Sequence, residues 1–473
     1  MTTAGALRRR LRRLLAPAEL REMARLAAPA VLIQVGIMSM GVVDTIMSGR
    51  ISAEALAAVA LGNLYVFNAL VFGMGVLMAL DPIVAQAVGA RDDAAVAGAV
   101  QRAVALSAVL SVGVGAALWP GGAALAAVRQ PAEIIPDAAA YARASIPGVL
   151  PFYLFMVFRQ TLQAFGRMAP IVYVVLAANA LNAFLNWVFM FGNLGAPRLG
   201  AVGSAWSTTV GRWAMAVGLL AAGWRALGPH LHPVVPQALR VAPLVRTLRL
   251  GVPIGVQYLL EVGAFGAITL LAGLFGTTAL AGHEITLNLA SLTFMVPLGV
   301  ASAAAVLVGR AVGAGDAEAA RLHAAASLVY GVGFMAVSAV VLLLAPRAIA
   351  GLYTPDPAVL GVAAVLIPIA GVFQLFDGGQ VVAGGILRGA GDTRTPLVAN
   401  LAGFWLVGLP LGGWLAFRPG GGPAGLWWGV VAGLAAVAVL LVLRVRTRLR
   451  GELRRVRVED DAQVRPSSPL AAP

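Results

Sequence analysis

The 473-residue chain contains no cysteine and no lysine, so all 34 of its basic residues are arginine. Without thiols, neither a disulfide framework nor thiol chemistry is available. There is no GxxxxGK[ST] phosphate loop, which argues against ATP as the direct energy source, and no HExxH zinc pair. Charge is scarce altogether. Only 11% of the residues are charged while 60% are hydrophobic, the balance of a polytopic membrane protein rather than of a soluble core. Asp92-Asp93 is too small an acidic cluster for a metal-dependent prenyl enzyme. The net charge of +14 is not accompanied by a soluble nucleic-acid-binding module. It lies in short arginine clusters beside apolar runs, as the positive-inside rule produces.

What is present is a series of apolar windows punctuated by Gly, Pro and Arg, which predicts about twelve membrane-spanning helices. They lie near residues 27–47, 55–82, 98–120, 138–160, 170–192, 201–223, 250–273, 280–308, 323–345, 359–386, 397–416 and 424–443. An even count leaves both termini on one side, and alternate loops on that side hold most of the arginines, which predicts cytoplasmic termini. The N-terminal RRRLRRLLAPAELREMARLA reads as a basic amphipathic helix on the cytoplasmic face, without the cleavage site of a signal peptide. The expected divisions are an N-terminal segment (1–25), a first lobe (26–223), a cytoplasmic linker (224–249), a second lobe (250–443) and a basic tail (444–473).

An internal repeat underlies that division. Pro29 and Pro253 stand 224 positions apart (253 − 29), and at the same offset AVGARD from Ala87 aligns with AVGAGD from Ala311. Further on, LQAFGR from Leu162 matches LRGAGD from Leu387. Six spans is an even number, so the halves are parallel repeats, and two such lobes imply a central cavity and alternating access.

Chemistry inside the spans is sparse and therefore conspicuous. The run LGVPIGVQYLLEVGAFGAITLLAG from Leu250 carries Glu261 near its middle. An ionised carboxylate at that depth costs on the order of 3 kcal/mol, so such residues face a water-filled cavity or a partner. Gln257 and Tyr258 can share its helical face. On the tenth span Gln374, Asp377 and Gln380 form one polar stripe. Glu261 and Asp377 each lie 11 residues from the cytoplasmic end of their spans (261 − 250 and 388 − 377), which is about 16 Å deep and close to the bilayer midplane. Two carboxylates at one level make a cation site. The first half offers Asp44, Gln34 and an amide stripe of Asn179, Asn182 and Asn186, which serves equally well as interhelical glue. His283-Glu284 opens the eighth span as either a pH-sensitive or a solvated interfacial pair. Almost no arginine is read inside the spans.

VDTIMSG from Val43, PIVAQAVGA from Pro82, HEITLN from His283 and ILRGAGDTRTP from Ile386 together resemble the multidrug and toxic compound extrusion (MATE) family, over roughly Leu26 to Leu443. The resemblance implies an all-α fold of twelve helices in two lobes and export of organic cations against Na⁺ or H⁺ entry. In its NorM-like branch Glu261 and Asp377 match the acids that bind the coupling cation, and Asp44 matches a first-span acid. Asn186 stands where the DinF-like branch places an acid, and Glu284 where glutamine is expected, so the choice between Na⁺ and H⁺ stays open. The expectation is a cofactor-free, monomeric antiporter of a bacterial inner membrane, not an enzyme. A flippase for a lipid-linked sugar or other amphiphile is the alternative, and an integral membrane enzyme is disfavoured by the missing motifs.

Overall fold

A computed structural model describes residues 17–235, 238 and 240–458. Twelve long helices make up the described chain. They are α1 (Pro17–Gly49), α2 (Ala53–Gly89), α3 (Asp93–Leu118), α4 (Ile135–Ala164), α5 (Ala169–Phe189) and α6 (Ala201–Leu231), followed by α7 (Val241–Gly273), α8 (Thr277–Gly313), α9 (Ala317–Leu344), α10 (Pro357–Gly389), α11 (Arg394–Phe417) and α12 (Gly422–Arg450). Eleven are long and apolar enough to cross a membrane. The remaining one, α6, has the length at 31 residues, but Arg212 and the hydroxyls of Ser204, Ser207, Thr208 and Thr209 dilute its apolarity. The chain is a multi-pass membrane protein.

The repeat is visible in local chemistry. The two AVGA segments end in a left-handed residue, Arg91 at φ 56° and Gly315 at φ 73°. The next aspartates then cap the following helices, Asp92 accepting from the Ala95 amide at 3.0 Å and Asp316 from the Ala319 amide at 2.9 Å. Each cap satisfies one of the amides that a helix start leaves open. Short helices at Gly121–Ala127 and Pro346–Gly351 follow α3 and α9 in the same register. One buried apolar core draws on α1 to α6, and the others draw chiefly on α7 to α12, with Met23 and Ala27 of α1 joining the second set.

Two sequence expectations need adjustment. No separate helix precedes the first span in the described residues, because α1 is continuous from Pro17; residues 1–16 lie outside them. The connection between halves is shorter than the polar run suggested, since α6 continues to Leu231 and α7 starts at Val241. Gln101 of α3 grips it, donating to the carbonyls of His230 and Pro233 at 3.0 Å each and accepting from the Val235 amide at 2.8 Å.

Twelve passes leave both described ends on one side, called here the terminal side, and the two six-helix groups meet in that half. The seam is made of glycine. Were Gly255 to carry a Cβ, that atom would lie 2.7 Å from the Phe72 carbonyl oxygen, and one on Gly299 would lie 2.6 Å from the Val31 amide nitrogen. Gly75, Gly89, Gly251 and Gly313 meet the opposite group's backbone in the same way. Gln86 of α2 crosses the seam to donate to the Gly389 carbonyl at 2.8 Å, and Gln163 donates to Ser302 Oγ at 3.3 Å. The chain after α12 adds a strap. Arg455 pairs with Asp92 at 2.8 Å, the Val456 amide donates to Gln86 Oε1 at 2.7 Å, and Arg246 donates to the Val458 carbonyl at 2.9 Å.

Candidate ion-coupling site

Helical periodicity sets the first cluster. Asp377 and Gln380 are three apart on α10, and Gln380 Nε2 donates to Asp377 Oδ1 at 3.3 Å. Asp377 is buried, and both it and Gln380 lie within electrostatic reach of Glu261 of α7. From α11, Asn400 donates Nδ2 to Glu261 Oε2 at 3.4 Å. Asn400 immediately precedes a π-helical stretch, Leu401–Gly408. Such stretches are frequent at functional sites because they re-aim side chains. This one is anchored by Trp405, whose indole donates to the Leu260 carbonyl at 3.0 Å beside Glu261. Gln374, one turn before Asp377, donates to Thr293 Oγ1 of α8 at 2.7 Å. Gln257 is buried on α7 one turn before Glu261. The arrangement gathers two carboxylates and several amide groups in one half of the molecule. Among the described residues no three His, Cys, Asp or Glu side chains converge, so the cluster is poorer in ligands than a transition-metal centre.

Asp44 does not join this cluster. It closes a separate network among α1, α5 and α6, accepting from Asn186 Nδ2 at 2.6 Å and from Thr208 Oγ1 at 2.9 Å. Asn182 supports both partners, donating to Thr208 Oγ1 and accepting from Asn186, at 3.4 Å each. Arg212 of α6 lies within electrostatic reach of Asp44 and 5.0 Å above the Phe152 ring. Asn179, the third amide of the stripe, points elsewhere: its Nδ2 donates to the carbonyls of Gly36 and Val175 at 2.8 and 2.9 Å, joining α5 to α1.

Other sequence candidates are also relocated. Gln34 accepts from Arg159 Nη1 at 3.0 Å, and Arg159 lies within electrostatic reach of Asp81. Arg388 of α10 lies within electrostatic reach of Asp81 across the seam and of Tyr258. The expectation of almost no arginine inside the spans is therefore not met, because Arg102, Arg159 and Arg388 are all buried. His283 and Glu284 do not act as a pair. Glu284 is exposed, whereas His283 is buried, accepting the Trp427 indole N–H on Nδ1 at 3.2 Å and meeting Thr269 Oγ1 through Nε2 at 3.0 Å. Neighbours in sequence point about 100° apart on a helix, so adjacency there does not mean proximity of function.

Comparison with known proteins places these clusters in context. A family model described as MatE matches residues 29–188 and 253–414, two segments whose starts differ by the repeat offset of 224 (253 − 29). A probable multidrug resistance protein NorM of Burkholderia pseudomallei is 40% identical over 429 residues, covering 89% of this chain and 91% of that one. Multidrug resistance protein PmpM of Pseudomonas aeruginosa is 35% identical over 447 residues, covering 92% and 93%. Among solved structures, the eukaryotic MATE transporter AtDTX14 superposes with a TM-score of 0.84 at 20% identity, over 93% of this chain and 98% of that one. The Vibrio cholerae MATE transporter VcmN in its bent form gives 0.80 at 18% identity, over 92% and 98%. At such identities the structural likeness speaks for the fold: all-α, in twelve membrane helices.

Proposed function

The chain belongs to the MatE family, and from that premise we propose that it is a secondary active multidrug exporter driven by Na⁺ or H⁺ entry. It is a transporter and not an enzyme. The observation that carries the coupling mechanism is that Glu261 and Asp377 stand at one level of two long helices within electrostatic reach, bonded respectively by Asn400 and Gln380. Two acids at one level are costly to keep ionised in a membrane interior unless a cation is bound there. A lipophilic organic cation and the coupling ion then compete for the same negative charge, so entry of one favours departure of the other.

In this reading, residues 26–223 and 250–443 are the two lobes and the terminal side is cytoplasmic. The glycine seam and the strap hold that side shut, which leaves the opposite side to exchange drug for the ion. Ion binding at Glu261 and Asp377 releases the drug outward, and the lobes rock to expose the cavity to the cytosol or inner leaflet. Asp44 with Asn182, Asn186 and Thr208 keeps the first lobe in register. Of the buried arginines, Arg159 bonds Gln34 and lies near Asp81, and Arg388 lies near Asp81 and Tyr258. Pairing of Arg159 and Arg388 with an acid weighs against a lipid-linked pyrophosphate as cargo.

Uptake of a fluorescent lipophilic cation into everted membrane vesicles, with Na⁺ and pH gradients imposed separately, tests this reading. One gradient drives uptake, and Glu261→Gln and Asp377→Asn each abolish it while eluting as folded protein. Normal uptake by both variants refutes the site. Indifference of the wild type to both gradients refutes antiport.

A further inference from the structure

A cavity of about 320 Å³ opens on the terminal side where the two helix groups meet. Its apolar floor is built from Val88 near the end of α2 and from Leu307, Ala311 and Ala314 at the end of α8. Charge of both signs lines the wall. Glu22 of α1 and Arg91 after α2 come from the first group, and Arg310 of α8 and Asp316 before α9 from the second. Among the described residues these four make no ion pair with one another, and neither guanidinium has a hydrogen-bond partner. Asp316 gives one oxygen to the Ala319 amide and keeps the other. Arg310 reaches over the seam, its Nη1 lying 3.7 Å from where a Cβ on Gly166 would stand in the turn after α4. Arg91 holds its place at a backbone cost. Its φ of 56° lies in the left-handed region that favours glycine. The internal repeat does put glycine there, since Gly315 follows Arg91 by the offset of 224 (315 − 91). The turn itself therefore calls for no guanidinium, and an outlier of this kind points to a role for the side chain.

We infer that this cavity binds a zwitterion carrying a phosphate and a primary ammonium, the headgroup chemistry of phosphatidylethanolamine, with Arg91 and Arg310 on the phosphate and Glu22 and Asp316 on the ammonium. An anion alone would face two carboxylates, and a cation alone two guanidiniums. A molecule with both charges answers each. Guanidinium forks match the geometry of phosphate oxygens, and an ammonium has three N–H groups to give to carboxylates. At about 320 Å³ the space is at the small end of ligand pockets, fit for a headgroup. Because α2 ends at Gly89 and α8 at Gly313, it lies at the headgroup level of the terminal-side leaflet. Its two walls belong to different helix groups, so the site is complete only while that side is closed. A ligand that binds one arrangement alone shifts the population towards it. The composition of the leaflet thereby biases the protein towards closure, without involving Glu261 or Asp377.

The test is thermal unfolding of the purified full-length protein in detergent, read by tryptophan fluorescence while short-chain phospholipids or free phosphoethanolamine are titrated in. A ligand of the folded state raises the midpoint. Phosphatidylethanolamine does so saturably. Phosphatidylcholine, whose methylated ammonium has no N–H to give, and phosphatidylglycerol, which has no cation, require about 10-fold more or beyond. Arg310→Gln raises the half-saturating concentration of phosphatidylethanolamine by a similar factor, and Glu22→Gln removes its advantage over phosphatidylglycerol. Arg91→Gly separates binding from folding: it relieves the left-handed strain, so its midpoint without lipid is at least that of the wild type, yet its response to phosphatidylethanolamine is lost. Saturation by free phosphoethanolamine at the lipid's own concentration places the ligand in solution, and saturation by the lipid alone places it in the leaflet; either sustains the site. Equal response to all three lipids, or an unchanged half-saturation in folded Arg91→Gly and Arg310→Gln, overturns it. Spin labels at positions 225 and 394, exposed and in opposite groups, report the bias. Phosphatidylethanolamine should enrich the shorter distance in wild type but not in Arg91→Gly, and a distribution indifferent to bound lipid overturns the link to closure.

Discussion

The glycine seam makes a quantitative prediction about conformational balance. In Gly255→Ala the new methyl would sit 2.7 Å from the Phe72 carbonyl oxygen and 2.9 Å from a ring carbon of the same residue. Ordinary contact begins at about 3.5 Å, so the methyl intrudes by roughly 0.8 Å. The ring can rotate away, but the carbonyl belongs to the backbone of α2 and cannot. Overpacking of this kind costs about 1–3 kcal/mol. The cost falls only on the arrangement in which α2 and α7 touch, whereas the helix-propensity gain of up to about 1 kcal/mol from Gly to Ala applies to any arrangement. The population with the terminal side open should rise by about 5–150-fold. The absence of native cysteine permits spin labels at positions 91 and 394, both exposed and on opposite sides of the seam. Pulsed electron resonance should show a longer-distance population in Gly255→Ala and none in Gly266→Ala, where the added methyl meets open space. A folded Gly255→Ala protein with the wild-type distance distribution would refute the reasoning.

Two further outcomes follow from the polar contacts. Asp44→Ala leaves Asn186 and Thr208 without their acceptor, a cost of about 1–3 kcal/mol for each stranded group; the midpoint of thermal unfolding, read by tryptophan fluorescence, should fall by several degrees, and an unchanged midpoint counts against a closed network. Partial burial works to raise the Asp92 carboxyl, but the Ala95 amide and the Arg455 guanidinium outweigh it and hold the group below the ordinary aspartate range. A group depressed in the folded state contributes stability above its unfolded pKa and loses it as pH falls through the folded value. The strap should therefore stay pinned at neutral pH and loosen only in strong acid. A spin label at position 454 reports this as a mobility transition, which Arg455→Ala should replace with mobility at every pH; an identical transition in Asp92→Asn would assign it elsewhere.

Much of the fold was legible because bilayer thickness leaves so few choices. Runs of about 20 apolar residues between arginine-bearing loops had to become helices, and α6 was recognisable despite Arg212 because its flanks are apolar on both sides. Helical rise alone also puts Glu261 and Asp377 at one depth, and the structure brings them within electrostatic reach. What periodicity could not supply was partnership between helices. Asn179, Asn182 and Asn186 share a face, yet the first bonds α1 backbone while the others serve Asp44. Arg159 drew no notice in the sequence and Arg388 reads there as a loop-side span end, because arginine is expected only in loops; each stands within one or two turns of a helix end, where a long side chain can run inward as readily as outward. Asn400 is a single amide in an apolar run, and only the packing of α11 against α7 gives it a neighbour. The sole signal in the chain itself was an amide with no periodic companion.

The glycines between the two helix groups also bear on how fast such a molecule can change shape. Interlocked side chains make an interface that must be unpicked rotamer by rotamer, and each apolar group withdrawn costs about 25 cal/mol for every Å² returned to solvent. A surface of backbone against backbone at Gly75, Gly89, Gly251 and Gly313 has few rotamers to reset and little apolar area to lose. It behaves as a bearing rather than a clasp. The latching is left to a few separable polar contacts at the rim, Gln86 to Gly389 and Arg455 to Asp92 among them. Division of labour between a smooth bearing and a breakable latch would keep two arrangements close in free energy, where a ligand's small differential affinity for one of them is enough to tip the balance.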